Sequence, residues 1–221
     1  MARKRNRGFF ITLEGPEGSG KSTQIPALAA WLRAQGLEVV QTREPGGTRI
    51  GEEIRALLHN PANIEMAPLT EILLYSASRA QHVAEVIRPA LEAGQIVLCD
   101  RYCDSTYAYQ GYGRGLALPV LREITQFATG GLTPNLTCYL DIKPELGLRR
   151  RQESAEEMNR LDRETLAFHR RVYAGYLALL AEEPERWVTV DAAQSIEQVQ
   201  LDLRAILSNS LDLGSLREKV L

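Results

Sequence analysis

Five short apolar runs recur along the chain, and each one ends at a polar residue or a turn. The runs are rich in β-branched and aromatic residues, and the stretches between them have the apolar spacing of helices. Continuous apolar strands separated by helices are typical of a parallel sheet that is covered on both faces. The pattern therefore predicts a three-layer α/β fold with five parallel strands at residues 9–13, 37–42, 95–100, 136–141 and 187–191.

The segments between and after these strands predict helices with recognisable ends. Gly36 and Gly94 follow two of them, where glycine suits the left-handed turn after a helix. Ser195 can cap the start of the last one. The predicted helices cover residues 21–35, 69–94, 118–128, 161–181 and 195–207.

One stretch breaks this pattern. Residues 149–160, "RRRQESAEEMNR", are charged throughout and have no apolar stripe. They are a candidate mobile lid, or alternatively a solvated helix face followed by a loop. With a basic tail at residues 1–8 and a C-terminal tail at residues 208–221, we expect the chain to form a single domain over residues 1–221.

Composition narrows the class of protein. The 221 residues are 44% hydrophobic and 24% charged, which is enough to bury the core of one domain. A net charge of -2 with scattered basic residues gives no case for a nucleic-acid groove. The three cysteines match neither a zinc site nor a disulfide framework, which favours a cytoplasmic location. No apolar window approaches a membrane span, and we expect no membrane contact.

A glycine-rich loop follows the first predicted strand in "FFITLEGPEGSGKSTQ". It satisfies the pattern G-x-x-x-x-G-K-[ST], in which backbone N–H groups and a helix N-terminus surround phosphate oxygens. The lysine reaches the β and γ phosphates, and the hydroxyl residue is a ligand for Mg²⁺. We call this loop the cradle, and it predicts binding of a nucleoside triphosphate by Gly15, Pro16, Glu17, Gly18, Ser19, Gly20, Lys21 and Ser22.

The cradle leaves the phosphoryl acceptor open, since water, a protein, a sugar or a nucleotide could accept the group. The N-K-x-D motif of GTPases is absent from the sequence. Arg101 follows Asp100 at a strand end where many ATP-hydrolysing machines have a glutamate. These features favour transfer to a small acceptor. Asp100 is also placed to hold Mg²⁺ through water or to fix the loop.

Two groups of residues suggest where the acceptor binds. Arg43 and Arg101 stand at strand ends on the ligand edge of the fold, where they would meet an acceptor phosphate. Tyr75 and Arg79 are four residues apart and share a helix face. A ring that stacks on a base, together with a donor for a carbonyl oxygen, would recognise a pyrimidine. Further candidates for this pocket are Thr106, Tyr107, Tyr109 and Gln110.

Five motifs together resemble the thymidylate kinase family: "EGPEGSGKST", "TREPGGT", "LLYSASRAQH", "DRYCDSTYAYQGYGRG" and "RLDRETLAFHRRVYAGY". The resemblance covers the chain from about Phe9 to about Leu207. It implies transfer from ATP to dTMP, giving ADP and dTDP for dTTP synthesis, by a direct in-line step with Mg²⁺. It also implies a P-loop kinase fold with a lid, in a homodimer.

The resemblance implies a role for each matching residue of the acceptor site. Arg43 and Arg101 would bind the dTMP phosphate, while Tyr75 would stack on thymine. Arg79 would donate to O4 of the base. The remaining expected contacts are Glu17 with the 3'-hydroxyl, Thr106 near N3, Tyr109 against the sugar, Gln110 supporting the base pocket, and Ser105.

The cradle contains no arginine, and the chain therefore resembles the family members that have a basic lid. This implies that a lid arginine neutralises the transferring phosphoryl group, with Arg149, Arg150 and Arg151 as candidates and Arg160 as another. The acidic "QESAEE" departs from such lids and leaves the choice among the arginines open. Asn159 stands where an acid is common, so an acid role there would move to Asp162 or Glu164 or be absent.

Two alternative functions stay open on the sequence alone. One is a kinase for another nucleotide or a deoxynucleoside, and the other is a nucleotide-binding regulator without transfer activity. Retention of Lys21, Ser22, Asp100 and Arg101 speaks against the regulator. His59, His82 and His169 have no ligand or triad spacing and are expected to be ordinary helix residues.

Overall fold

The structure is a computed structural model that describes residues 8–154 and 157–211. One parallel sheet has the strand order β2-β3-β1-β4-β5. The strand prediction is confirmed, with ends that differ by two residues or fewer. Parts of the predicted lid and of both tails, residues 155–156, 1–7 and 212–221, lie outside the described residues. The strands are β1 (Phe9–Glu14), β2 (Val39–Arg43), β3 (Ile96–Asp100), β4 (Leu136–Asp141) and β5 (Trp187–Asp191).

Helices connect the strands and lie on both faces of the sheet. A π-helical turn, Val83–Ile87, joins α3 to α4, and a second, Tyr107–Gly113, continues α5. The helices are α1 (Lys21–Ala34), α2 (Arg49–His59), α3 (Pro68–His82), α4 (Arg88–Glu92), α5 (Cys103–Thr106), α6 (Leu118–Thr129), α7 (Pro144–Glu153), α8 (Leu166–Glu182) and α9 (Ile196–Ser210).

Alternation along β1 divides the core between the two faces of the sheet. Ile11 and Leu13 pack in one cluster with residues of α1 and α9. Phe10 points the other way and packs with Val83 and Tyr102. This burial on both faces explains why the strands are continuous apolar runs, and the predicted three-layer α/β fold is confirmed.

The helix predictions need three corrections. The helix predicted from residue 161 begins at Leu166, because Thr165 accepts the N–H of Phe168 at 3.2 Å and caps it there. Helices α2, α5 and α7 were not predicted, although Pro144 at the start of α7 suits a first helical position. The last helix runs to Ser210, three residues into the predicted C-terminal tail.

The predicted lid is partly regular structure. Its first five residues, 149–153, form the end of α7, as the alternative of a solvated helix face had it. After Ser154 the described part of the lid, residues 157–160, has no helix. The lid therefore begins as part of a helix that a two-residue connection joins to β4, and the lid function stays a prediction.

Candidate active site

A cleft of about 990 Å³ opens at the carboxyl ends of the strands. Asp100 at the end of β3 pairs in register with Leu13 and Arg43 of its two neighbours, which brings three strand ends to one level. Most predicted site residues line the cleft, namely Glu17, Gly18, Ser19, Gly20, Lys21, Ser22, Arg43, Tyr75, Arg79, Asp100, Arg101, Ser105, Thr106, Tyr109, Gln110, Arg150 and Arg151. Gly15, Pro16 and Arg149 are not among the described residues that line the cleft.

The cradle is a tight loop between β1 and α1. Gly18 has φ +69°, and a Cβ atom there would lie 1.9 Å from the carbonyl oxygen of Gly147 in α7. Only glycine fits this approach, which ties the helix of the lid to the cradle. Lys21 is buried and donates from Nζ to the carbonyl oxygens of Gly15 and Pro16, both at 2.9 Å. Its amine therefore lies against the loop that would hold the phosphates.

The pKa of Lys21 depends on its burial and on the charges around it. Burial and the charge of Arg101 lower the pKa of Lys21 to about 8, against the opposing pull of Asp100 and Glu17. The amine is still mostly protonated at neutral pH, and a phosphate anion would favour that form further.

Oxygen ligands for a divalent ion stand beside the cradle. Ser22 donates from Oγ to Oδ2 of Asp100 at 2.9 Å. Among the described residues, no group of three or more acidic, cysteine or histidine side chains could hold a metal ion. A hydroxyl and one carboxylate suit Mg²⁺, which keeps waters and takes phosphate oxygens as its other ligands.

Arg101 lies at the centre of the cleft. It has φ 66°, the one positive value found for a residue other than glycine in the described ranges. Its guanidinium donates to the Gly15 carbonyl oxygen at 2.9 Å, to Glu17 at 3.0 Å and to the Tyr109 hydroxyl at 3.2 Å. These contacts fix the orientation of the arginine, as a clamp for an acceptor phosphate requires.

Glu17 is the acid of the cradle. Tyr109 donates to its Oε1 at 2.8 Å, the oxygen that also accepts from Arg101. Burial acts to raise the pKa of Glu17, but the charges of Arg101 and Lys21 lower it to about 2. Glu17 is therefore an ionised acceptor at neutral pH.

Glu14 is a buried residue whose part in the site the sequence reasoning missed. Its carboxylate accepts the N–H of Tyr102 at 2.7 Å, the Ser105 hydroxyl at 2.6 Å and the Tyr176 hydroxyl at 3.1 Å. Ser105 and Tyr176 also accept from Arg101, at 3.1 and 3.0 Å. Burial, with the charge of Asp104, raises the pKa of Glu14 to about 7. Its position at a strand end, before the first cradle glycine, was the available signal.

The second predicted phosphate ligand is more exposed. Arg43 pairs with Glu52 of α2 at 2.8 Å, and its side chain is 52% exposed. It faces the cleft from the end of β2, opposite Asp100. An exposed ion pair of this kind is weak, so a phosphate could replace Glu52 at small cost.

The base side of the cleft contains the predicted pair on α3. Tyr75 and Arg79 are both buried and both line the cleft. Arg79 donates to the Thr106 hydroxyl at 2.9 Å, which joins two predicted residues. Gln110 donates to Glu71 at 2.8 Å, a buried carboxylate that the sequence reasoning did not single out.

Glu71 also explains the place of Arg160. This candidate lid cation is buried, donates to Glu71 at 2.5 Å and to the Leu58 carbonyl oxygen at 3.0 Å. It does not appear in the described lining of the cleft. Arg160 thus holds the end of the lid to Glu71, the carboxylate that also accepts from Gln110.

The three consecutive lid arginines have different surroundings. Arg150 donates to the carbonyl oxygens of Ala192 and Ala193 at 2.7 and 3.1 Å, beyond β5. Arg151 pairs with Asp162 at 3.0 Å, whereas Glu164 pairs with Arg114 at 2.6 Å, and the acid role stays a prediction. Arg149 is exposed on α7.

One histidine belongs to the site, contrary to expectation. His59 ends α2 and lines the cleft. Burial, together with the charge of Arg55, lowers the pKa of His59 to about 4, and the ring is neutral at neutral pH. Sequence reasoning missed it because α2 was not predicted.

The fold and the cleft together define a P-loop kinase, in which a glycine-rich cradle between strand and helix faces an arginine-lined half of the same cleft. The family model for thymidylate kinase matches residues 13–203. The chain belongs to the thymidylate kinase family.

Curated relatives support this over nearly the whole chain. A thymidylate kinase of Roseiflexus castenholzii is 55% identical over 211 residues, which cover 90% of this chain and 92% of the relative. That of Deinococcus radiodurans is 54% identical, with 92% and 98% covered. That of an Exiguobacterium species is 48% identical, with 96% and 99% covered. None of the described helices is both long and apolar enough to cross a membrane.

Proposed function

We propose that this chain is a dTMP kinase, which transfers the γ-phosphoryl group of ATP directly to the 5'-phosphate of dTMP. The products are ADP and dTDP, and no covalent enzyme intermediate forms. The observation that carries the proposal is one cleft in which Lys21 of the cradle, Arg101 and Arg79 all line the wall. A triphosphate cradle, an anion clamp and a donor for a base follow one another along it.

The cradle binds ATP. Backbone N–H groups of residues 17–20 and the N-terminus of α1 face its phosphates, and Lys21 exchanges its loop carbonyl partners for phosphate oxygens. Ser22, with Asp100 through water, would hold Mg²⁺. The ion supplies positive charge to the phosphate oxygens when it is bound.

The acceptor phosphate is bound by Arg101 and Arg43. It is already an anion, so the reaction needs no general base, and positioning with charge neutralisation accounts for most of the catalysis. Glu17 accepts from the 3'-hydroxyl of the sugar. Tyr109, which donates to Glu17, packs where a 2'-hydroxyl would clash.

The base lies between α3 and the second π-helical turn, Tyr107–Gly113. Tyr75 stacks on thymine, and Arg79 donates to its O4 atom. Thr106 and Gln110 complete the edge of the pocket, each held by a buried charged partner, Arg79 or Glu71. The lid arginines close over the phosphates, which excludes water and suppresses hydrolysis of ATP.

The proposed enzyme is a homodimer. Apolar side chains of α3 and α6 stand exposed on adjacent helices, with Phe127 at 92% and Leu69 at 60% exposure, and Leu73 and Val120 lie with them. A second copy would cover this face by its own equivalent surface. Light scattering should give twice the chain mass, and Phe127→Glu should give the monomer. A monomeric unaltered chain would contradict the dimer.

A cytoplasmic location, where dTDP feeds dTTP synthesis for DNA replication, agrees with the cysteines. Cys99, Cys103 and Cys138 are free thiols buried in the core. Burial also raises the pKa of each thiol above its usual range, so that they are inert at neutral pH.

An ADP-release assay with a panel of acceptors tests the activity. The panel contains dTMP, dUMP, dGMP, dCMP, AMP and thymidine, each with ATP and Mg²⁺. We expect the highest kcat/KM for dTMP. Preference for thymidine or another monophosphate would favour the alternative kinases, and no release with any acceptor would favour a regulator.

A further inference from the structure

The motif "TREPGGT" at residues 42–48 contributes Arg43 to the proposed phosphate site, and Glu44 and Pro45 also line the cleft. The rest of the motif lies next to the base pocket. Glu44 is 5% exposed and His82 of α3 is fully buried, although neither has a role in the proposed transfer. Glu44 accepts a hydrogen bond from Arg79, and His82 contacts Glu44.

The N–H groups of Arg79 are used unequally. Nε donates to Oε2 of Glu44 at 2.7 Å, and Nη2 donates to the Thr106 hydroxyl and to the carbonyl oxygen of Tyr102, at 2.9 and 3.3 Å. Nη1 is buried and has no partner among the described residues. Since the guanidinium is planar, fixing Nε and Nη2 also fixes the direction in which Nη1 points.

A chain of hydrogen bonds holds Glu44 in turn. Nδ1 of His82 lies 3.0 Å from Oε1 of Glu44, and Nε2 lies 2.6 Å from the Thr42 hydroxyl. Burial acts to raise the pKa of Glu44, but Arg79 and His82 together lower it, and an ionised carboxylate only accepts. Nδ1 of His82 is therefore a donor.

A glycine makes room for this chain. Gly47 has φ +78°, and a Cβ atom there would lie 2.7 Å from both Nε2 of His82 and Oγ1 of Thr42. The conformation and the space both require glycine. The motif thus builds the hydrogen-bonded chain as well as the end of β2.

We propose that Glu44, oriented by His82 and Thr42, is a positioning residue that aims Nη1 of Arg79 at the base and so selects a pyrimidine with a carbonyl at C4 over one with an amino group. The inference rests on the proposed function, because it takes dTMP as the acceptor. Arg79 can donate but cannot accept, and an amino group at C4 would leave both partners unsatisfied. A site built around one fixed donor rejects such analogues strongly.

The variant Glu44→Gln tests the inference through selectivity. The amide keeps the size of the side chain but removes its charge and one acceptor, which frees the guanidinium to turn. We expect kcat/KM for dTMP to fall at least about tenfold and the ratio of kcat/KM for dTMP to that for dCMP to fall about tenfold. KM for ATP should stay within about twofold, since the cradle is untouched.

Glu53→Gln is the matched control. Glu53 lies on α2, pairs with the exposed Arg49, and is not among the described residues that line the cleft. This variant should keep the dTMP to dCMP ratio of the unaltered protein. An equal loss for both nucleotides in Glu44→Gln, with the ratio unchanged, would overturn the inference, because it would mark a purely structural role.

Two substitutions at His82 provide an independent test should Glu44→Gln fail to fold. His82→Leu removes the donor to Glu44 and should lower the ratio, whereas His82→Asn offers an amide N–H near the position of Nδ1 and should recover part of it. Equal ratios in the two variants would overturn the inference.

The unaltered protein separates this inference from the proposed function. If it fails to phosphorylate dTMP, the proposed function fails, and the ligand assigned to Arg79 fails with it. If it does phosphorylate dTMP while the variants keep its selectivity, the function stands and only the inference about Glu44 falls.

Discussion

The cradle side of the cleft, with Lys21 and Arg101, and the lid, with Arg150 and Arg151, hold their basic residues in different ways. Lys21 and Arg101 are mostly buried and contact the loop at several points, including the Gly15 carbonyl oxygen that both share. Arg150 extends from the end of α7 to two carbonyl oxygens, and Arg151 to the Asp162 carboxylate, the Ser154 hydroxyl and the Glu157 carbonyl oxygen. The cations beside the cradle are thus preorganised by residues of the proposed site, whereas the lid arginines are held by segments outside the cradle and would exchange those partners for phosphate oxygens.

The largest effect should come from the preorganised side. Arg101→Ala removes the charge at the centre of the cleft, and we expect kcat to fall by about 10³-fold, as for other groups that stabilise developing charge. Steady-state ADP release with dTMP measures this. Arg122→Ala is the matched control, since Arg122 pairs with Glu182 outside the cleft. Near-normal turnover with a normal melting curve would remove Arg101 from the phosphate site.

The second effect separates the two lid arginines that line the cleft. Arg151 pairs with Asp162, and the adjacent Leu161 packs in one cluster with Tyr75 and Tyr109, which places this pair on the proposed acceptor side of the cleft. Arg150 instead contacts the loop after β5. We expect Arg151→Ala to lower kcat about 10²-fold and Arg150→Ala to act mainly by raising KM for ATP, about tenfold.

Reversal of these two profiles in steady-state kinetics would contradict the assignment. A loss of kcat in Arg150→Ala, with an unchanged kcat in Arg151→Ala, would place the catalytic cation on the β5 side of the lid. Equal losses in both would mean that the two arginines act as a unit.

The same contrast explains how much the sequence could predict. The cradle depends on local spacing: the glycines, Lys21 and Ser22 lie within one loop, and strand ends such as Asp100 can be read from apolar runs. The family resemblance then supplied the expected roles of Arg79 and Arg101. Local residue spacing and the family motifs together were sufficient to predict the fold and most residues that line the cleft.

Contacts between distant segments could not be predicted. Tyr176 meets Glu14 across 162 residues of sequence, and Arg160 meets Glu71 across 89. A single sequence carries no signal for such pairs. Helix α2 was missed as well, and with it His59, although Thr48 caps its start through the Gly51 N–H at 3.0 Å. Among the lid arginines, Arg150 likewise meets Ala192 across 42 residues.

The free energy of unfolding should depend on pH through Glu14, the buried carboxylate next to the cradle. In the unfolded chain Glu14 loses its proton near pH 4.5, but in the folded chain near pH 7. The folded state therefore binds more protons between these values, and stability falls as the pH rises through that window. We expect this residue to lower the free energy of unfolding by on the order of 2 kcal/mol between about pH 5 and about pH 8.

Glu14→Gln isolates that contribution. Its side-chain oxygen can still accept the N–H of Tyr102, but the residue no longer titrates. Urea unfolding at both pH values should show a smaller decrease in stability for the variant than for the unaltered chain. The same decrease in both proteins would show that Glu14 does not titrate in this range.

The smallest effect should come from the first lid arginine. Arg149 is exposed on α7 and stands outside the described lining of the cleft, while its two neighbours line it. Since an exposed arginine without a site partner contributes little, Arg149→Ala should change kcat and both KM values by less than about twofold. The three arginines have the same side chain but different positions and contacts, so each is a matched control for the others. A loss of kcat in Arg149→Ala as large as that in Arg151→Ala would mean that α7 turns when ATP binds and brings Arg149 to the phosphates.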